Sequence, residues 1–373
     1  VTLRLEPAMP PNASLFRYGG DELVVVLQAD TEAAAIGLAE LVQRRLAEPF
    51  LLKGTEVAMT TSIGIATYPE DGTLIDTLFT QADNAMYFAK AHGRNTYALY
   101  RTIAREGAEQ LLQLELELRT ALRNGEMSLT YQPIVDAQTG ALASLEALMR
   151  WHSPRLGDVS PTAFIPVAEE SGLVVELGAW ALDAACKQLG EWRRQGLGRV
   201  GVSVNVSIHQ FYQQDFAEYL RQTLERHGVD PSQLMLEITE SIASNADLVV
   251  VQLARLKSLA VSVALAVFGT GYSSLQYLQR YPIDCVKIDR SFVADMEGNE
   301  ADRTLVATII SLAHSLSLRT VAEGVESPTQ LALLRELGAD LVQGTYFAEA
   351  LDAEAAGEWI AHRATTHEES PRG

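Results

Sequence analysis

Carboxylates, amides and a lysine recur in this chain at one kind of place, directly after a short apolar run. Gln132, Glu146 with Arg150, Asn205, Glu237, Lys287 with Asp289, Glu323 with Glu326, and Gln343 all stand at or near such ends. Glu146, Asn205 and Glu237 offer the hard oxygen donors that magnesium and manganese prefer. Lys287 and Arg150 offer positive charge for a phosphate, and a guanidinium can grip one with two parallel hydrogen bonds. Such a set suits hydrolysis of a phosphodiester, provided enough ligands hold two metals to activate water and stabilise the leaving oxygen. One run breaks the pattern. Val261 to Val267 empties into Phe268-Gly269-Thr270-Gly271 with only Ala266 and Val267 at its end.

The elements that must position these groups follow from the alternation of short apolar runs with longer amphipathic segments beyond Gly125. Candidate strands are Ser128–Tyr131, Ala143–Met149, Gly201–Val204, Gln233–Leu236, Val261–Val267, Cys285–Ile288, Arg319–Ala322 and Asp340–Val342. That order predicts an α/β fold with a (β/α)8 barrel. The ends of parallel barrel strands converge on one mouth, so residues distant in sequence become neighbours there.

The 373 residues suffice for two domains, and 47% hydrophobic content supports a buried core. A formal net charge of -19 argues against sequence-independent nucleic-acid binding, which needs a basic surface. Cys186 and Cys285 sit among apolar residues and read as buried, reduced thiols of a cytoplasmic protein. No apolar run approaches the roughly 20 residues that span a bilayer, and the N-terminus lacks a signal-peptide pattern.

Ahead of the barrel, Val1 to Ser14 reads as strand remnant and loop. Phe16 to Leu27 reads as a tight turn carrying Asp21 and Glu22 and running into a strand, Thr31–Glu48 as a helix, Val57–Thr67 as a strand, and Leu74–Ala91 as an amphipathic helix. Tyr100–Asn124, rich in Leu and Glu, predicts a linker helix stopped by Gly125. Expected boundaries are 1–99 for the first domain, 100–124 for the linker, 125–362 for the barrel and 363–373 for a flexible tail.

Arg17-Tyr18-Gly19-Gly20-Asp21-Glu22-Leu23 resembles the signature turn of GGDEF domains, diguanylate cyclases that join two GTP molecules into cyclic di-GMP. Ser62-Ile63-Gly64-Ile65-Ala66, Ala82 to Tyr87 and Lys90 to Asn95 are similar to its later motifs. The resemblance corresponds to the second half of such a domain. A metal-binding Asp ahead of the turn has no counterpart, and two carboxylates are too few for magnesium-assisted phosphoryl transfer, so cyclase activity is not expected. Gly19, Gly20, Asp21 and Glu22 read as a degenerate turn.

The barrel motifs resemble a second family. Glu146-Ala147-Leu148-Met149-Arg150-Trp151 is similar to the name motif of EAL domains, which hydrolyse cyclic di-GMP to the linear dinucleotide. Tyr131 to Val135, Ser203 to Ser207, Leu236 to Glu240, Val286 to Asp289, Ala322 to Glu326 and Gln343-Gly344 resemble its remaining motifs in order. The resemblance implies metal roles for Glu146, Asn205 and Glu237 and catalytic roles for Lys287 and Glu323. It implies ligand contacts from Gln132, Glu146, Leu148, Arg150, Asn205, Asp289, Glu326 and Gln343. Pro161, Phe164, Ile165 and Pro166 resemble a loop over a guanine, although apolar packing explains them equally well.

Two departures stand out. Ala266 and Val267 occupy the places of two adjacent metal-binding aspartates, and Phe347 to Leu351 lacks a basic residue and a proline. The expectation is a degenerate domain that binds cyclic di-GMP with little or no hydrolysis and no requirement for magnesium or manganese. A slow metal-dependent phosphodiesterase and a nucleotide-independent scaffold are the alternatives. The expected partners are a second copy of the chain, with a surface near Gly269 to Leu275, and a downstream protein. The expected setting is the cytoplasm, within a longer sensor protein.

Overall fold

The structure is a computed structural model, and it describes residues 1–52, 55–57, 59–239, 246–268 and 280–368. The chain divides into two compact units, Val1–Gln113 and Leu114–Gly373.

The first unit opens with a short helix α1 (Thr2–Leu5), then a hairpin of β1 (Ala13–Gly19) and β2 (Glu22–Leu27). Helix α2 (Glu32–Ala47) buries Leu38, Val42 and Leu46 with Leu5 against the apolar side of that hairpin. The opening is therefore helical, which corrects the strand remnant expected there. Arg4 fixes it, with its guanidinium 3.5 Å from the Phe50 ring centre and donating to the Pro49 carbonyl at 2.9 Å. The expected strand Val57–Thr67 is also corrected. Its ends belong to different ladders: β3 (Phe50–Leu52) pairs antiparallel with β4 (Thr55–Val57), while β5 (Ile63–Ile65) pairs parallel with β6 (Tyr97–Leu99) across α3 (Ile75–Ala91). Gly64 permits this crossover, since a Cβ there would stand 1.9 Å from the Ala82 carbonyl oxygen. In the hairpin turn Gly20 has φ +48°, Arg17 donates to its carbonyl at 3.0 Å, and Asp21 and Glu22 are exposed.

Helix α4 (Tyr100–Ala121) carries the chain into the second unit, where Leu118 and Ala121 are buried with Trp151 and Phe164. There follow β7 (Met127–Asp136), β8 (Leu142–Ser153), β9 (Gly157–Val159), α5 (Pro161–Ser171), α6 (Val174–Arg194), β10 (Gly201–Val206), α7 (Ile208–Phe211), α8 (Phe216–His227), β11 (Leu234–Thr239), α9 (Ala246–Ser258) and β12 (Ser262–Phe268). The remainder is β13 (Cys285–Ile288), α10 (Arg290–Ala294), α11 (Glu300–Ser315), β14 (Arg319–Ala322), α12 (Pro328–Leu337), β15 (Leu341–Gln343) and α13 (Ala353–Glu368). Strands β7, β8 and β10 to β15 close into an eight-stranded barrel, with β9 paired to β8 outside the ring. Among the described residues no helix is long and apolar enough to cross a membrane.

Neighbouring strands of the barrel are parallel except β7, which runs antiparallel to both β8 and β15. A parallel link needs a crossover of about a dozen residues or more. Only a tight turn joins β7 to β8, with the Asp136 carboxylate accepting from the backbone of Gln138 and Thr139 at 3.1 and 2.8 Å. Gln132 is thus not beyond the end of a short strand, as the sequence suggested. It lies mid-strand, directly opposite Glu146.

Alternation along each strand separates two environments. Outward residues such as Val202, Leu236, Val263, Val286 and Val342 join the helices in one large core. Inward, Ile134, Ala264, Cys285, Val321 and Leu341 form an apolar cluster, and the next inward residues toward the mouth on these strands are polar except for Ala266 after Ala264. At the opposite end two carboxylates clip adjacent strands: Asp284 accepts from the Val263 backbone at 2.9 Å, and Asp340 from that of Thr320 at 2.8 Å. Each Asp directly precedes the strand it anchors.

Candidate functional site

Lys287 occupies the centre of the polar layer. Its ammonium donates to Glu237 Oε2 at 2.6 Å and Glu146 Oε2 at 2.9 Å, and lies 2.8 Å from Glu323 Oε1. The apolar layer below it and the closed strands around it leave the side chain 1% exposed. Glu146 also accepts from Asn205 Nδ2 at 2.8 Å and from Gln343 Nε2 at 2.8 Å. Gln343 Nε2 further donates to Gln132 Oε1 at 3.0 Å, and Gln132 Nε2 to the Ala348 carbonyl at 3.2 Å. Side chains from six strands and the loop after β14 thus form one connected network.

The charges in it are set by competition between burial and pairing. Burial opposes the charge on Lys287, but Glu146, Glu237 and Glu323 outweigh it and raise its pKa well above the ordinary lysine value. Burial would also raise Glu146, yet Lys287 and the amides of Gln343 and Asn205 hold it below the ordinary carboxylate value. For Glu237 burial wins. With Glu146 adding repulsion and Lys287 only partly opposing, its carboxyl is pushed up to about 7. Burial raises Glu323 as well.

The β12 strand contributes no polar group here. Ala266 is its inward residue at the level of the network, 5% exposed and paired in register with Thr239 of β11. The ladder to β13 slips at this point: Leu265 pairs with Val286 and Phe268 with Ile288, so one extra β12 residue is accommodated beside Lys287. A bulge of this kind at a barrel rim re-aims side chains. The slip falls at the strand end that carries Ala266 and Val267.

Of the expected metal ligands, Glu146 and Glu237 come together, whereas Asn205 is turned to Glu146 as a hydrogen-bond donor. Glu323, expected only in a catalytic role, completes the set: one carboxylate oxygen from each of Glu146, Glu237 and Glu323 lies within 4.8 Å of the others. Glu237 Oε1 is buried and accepts no hydrogen bond. Three hard oxygen donors this close are of the kind that hold a single divalent cation, in competition with the Lys287 ammonium that already contacts all three carboxylates. A cation there would offset phosphate charge and make water more acidic.

The expected ligand contacts are arranged unevenly. Arg150 is half-buried near Glu146, and its guanidinium donates to the Met149 carbonyl at 2.9 Å. Leu148 is half-buried on the same strand, and Glu326 is exposed. Asp289 caps α10, accepting from the Ser291 backbone at 2.8 Å. Pro161 opens α5 at its N-terminus, so the segment expected as a loop is a helix. Phe164 on that helix is fully buried, its ring edge-on to Trp151 with centres 5.7 Å apart. This corrects its assignment as a ligand contact: Phe164 belongs to the core between α5 and β8. The expected dimer surface at Gly269 to Leu275 lies outside the described residues.

Known proteins resemble the chain in both units. The sequence pattern of the EAL domain matches residues 115–350, and that of the diguanylate cyclase GGDEF domain matches residues 1–96. The bifunctional diguanylate cyclase/cyclic di-GMP phosphodiesterase MucR of Pseudomonas aeruginosa is 39% identical over 95% of this chain and 52% of its own length. Cyclic di-GMP phosphodiesterase NbdA of the same organism is 37% identical over 96% of this chain and 46% of its own. The chain spans about half the length of these curated relatives. Among solved structures, the PaMucR phosphodiesterase in complex with c-di-GMP is 40% identical with a TM-score of 0.63, covering 65% of this chain and 99% of that one. The FimX EAL domain of Xanthomonas citri in complex with c-diGMP is 28% identical with a TM-score of 0.60, covering 66% and 97%.

Proposed function

The chain belongs to the EAL domain family, and from that premise we propose that its barrel binds cyclic di-GMP and hydrolyses it little or not at all, as the receptor part of a signalling protein. The observation that carries this reading is Ala266, an inward, buried alanine at the rim beside a polar network that is otherwise retained. Loss of one electrostatic contributor commonly costs about a hundredfold or more in rate. Its loss also favours the ligand. At 5 Å and an effective dielectric of 20, each carboxylate–phosphate repulsion avoided is worth roughly 3 kcal/mol before screening.

In this reading Arg150 holds a phosphate, and Gln132, Glu326 and Gln343 supply hydrogen bonds to the rest of the ligand. Lys287 keeps the carboxylates in place without a metal. We place the protein in the cytoplasm, where the buried thiols of Cys186 and Cys285 stay reduced. Titration calorimetry with cyclic di-GMP, first in EDTA and then in magnesium, tests the proposal: comparable binding in both is expected. Absence of heat in both overturns it.

A second reading rests on the cluster of Glu146, Glu237 and Glu323. If these hold one cation productively, the barrel is a slow phosphodiesterase. Appreciable linear dinucleotide after long incubation with magnesium or manganese would establish that reading in place of the first.

A further inference from the structure

We infer that Glu126 and Trp151 are positioning residues for Arg150, and that through them the last turn of α4 governs how tightly the barrel holds the ligand's phosphate. The inference rests on the receptor reading above and adds two residues to which the ordered motifs gave no role.

Strand β8 is supported unevenly. Its ladder to β10 ends at Ala147 and its pairing with β9 starts at Trp151, so among the described residues Leu148 to Arg150 are paired on one edge alone, with β7. Arg150 adds little support of its own. Its guanidinium donates to the Met149 carbonyl, and the Glu146 charge acts on it from the barrel side. What fixes the backbone here lies behind the strand.

Alternation turns Met149 and Trp151 to the outer face, where both pack in the cluster that α4 closes with Leu118 and Ala121. The Trp151 ring is fully buried and meets Phe164 of α5 edge-on. The end of α4 is locked to it. Gly125, at φ +71°, donates to the Leu122 carbonyl at 3.2 Å, and Glu126 donates to the Ala121 carbonyl at 3.0 Å, the paired bonds of a Schellman stop. Glu126 therefore moves as one body with the last turn of the helix. Its carboxylate accepts from the Trp151 indole N–H at 3.0 Å, and its carbonyl accepts from the His152 backbone N–H at 3.1 Å. Asn124 Nδ2 donates to the other carboxylate oxygen at 2.9 Å, and the bonds from Trp151 and Asn124 hold Glu126 below the ordinary carboxylate value, so the acceptor stays charged.

One rigid corner thus grips the two residues that directly follow Arg150. From the β8–β9 turn, Arg155 adds an ion pair to Glu117 of α4 at 2.7 Å. Because α4 starts at Tyr100, in the first unit, the corner offers a path from that unit to the phosphate site. Coupling of this kind is reciprocal: if α4 sets Arg150, a ligand held by Arg150 must also steady α4.

The test is calorimetry of cyclic di-GMP binding to the intact chain and to Glu126→Ala, Glu126→Gln and Trp151→Phe, with hydrogen exchange of residues 114–126 followed with and without the ligand. Glu126→Ala and Trp151→Phe, which remove the indole bond, should each weaken binding by about fivefold or more, while Glu126→Gln, which keeps an acceptor, should stay within about twofold of wild type. The ligand should slow exchange across 114–126 in the wild-type chain. A merely stabilising bond would lower the melting temperature and leave affinity untouched. Wild-type affinity in Glu126→Ala or Trp151→Phe, equal losses in Glu126→Ala and Glu126→Gln, or exchange that ignores the ligand would each overturn this inference alone. Absence of binding by the wild-type chain would overturn the receptor reading and this inference with it.

Discussion

Lys287 Nζ lies 2.6 Å from Glu237 Oε2, and each side chain is 1% exposed. A buried ion pair of this kind is held as much by the cost of breaking it as by its own attraction, because the survivor is left charged in a dry site.

Lys287→Met should therefore lower stability by roughly 3 to 5 kcal/mol, the usual cost of orphaning a buried charge. Adding Glu237→Gln should recover part of that loss. Urea denaturation of the two single variants and the double variant measures the coupling, and simple additivity would contradict the network.

Ala266→Asp with Val267→Asp should raise phosphodiesterase turnover by about a hundredfold or more in magnesium. The same change adds negative charge beside Glu146, Glu237 and Glu323, so without metal the variant should melt below wild type and regain stability as magnesium is added. Turnover assays paired with melting curves read both effects.

Arg150 and Phe164 should respond in opposite ways. Arg150→Ala should weaken cyclic di-GMP binding at least tenfold with little change in melting temperature, since among the described residues its guanidinium hydrogen-bonds a neighbouring carbonyl and is otherwise only near the Glu146 charge. Phe164→Ala should cost about 3 to 5 kcal/mol of stability. Measured under conditions where it stays folded, it should bind as wild type does. Unchanged affinity in Arg150→Ala would place the phosphate elsewhere.

Asp340 gives the pH dependence a sign. Burial alone would raise its carboxyl above the ordinary 3.8, but bonds from His314 and from the backbone and hydroxyl of Thr320 lower it. A carboxylate depressed in the folded state contributes its stability above the unfolded value and loses it as pH falls through the folded one. The advantage of wild type over Asp340→Asn should be full at pH 7 and shrink below about pH 4. Denaturant midpoints across that range check it, and a constant gap would contradict the assignment.

The barrel was legible because a polar residue at the end of a short strand is conspicuous, and β13 and β14 span the residues expected of them. The reversed β7 was not read, although the turn chemistry of Asp136 to Gly140 signals a hairpin. The role of Glu323 beside Glu146 and Glu237 was hidden for another reason: which carboxylates converge depends on register across strands that are not sequence neighbours. Phe164 shows the converse difficulty. An apolar residue in a core and one lining a mouth read alike in sequence, and only burial separates them.

The reversed β7 also bears on how the barrel is made. Its second edge pairs with β15, so that Gln132 meets Gln343 across 211 positions of chain, and Tyr131 exchanges backbone bonds with Leu351. Contacts so far apart are slow to form, because the loop must be closed before any bond rewards it. On a ribosome, β7 emerges early and waits with one side unpaired until nearly the whole unit has followed. The last described strand to be synthesised is the one that shuts the ring, and chains ending before Leu341 should leave β7 as an open edge for other chains to pair with.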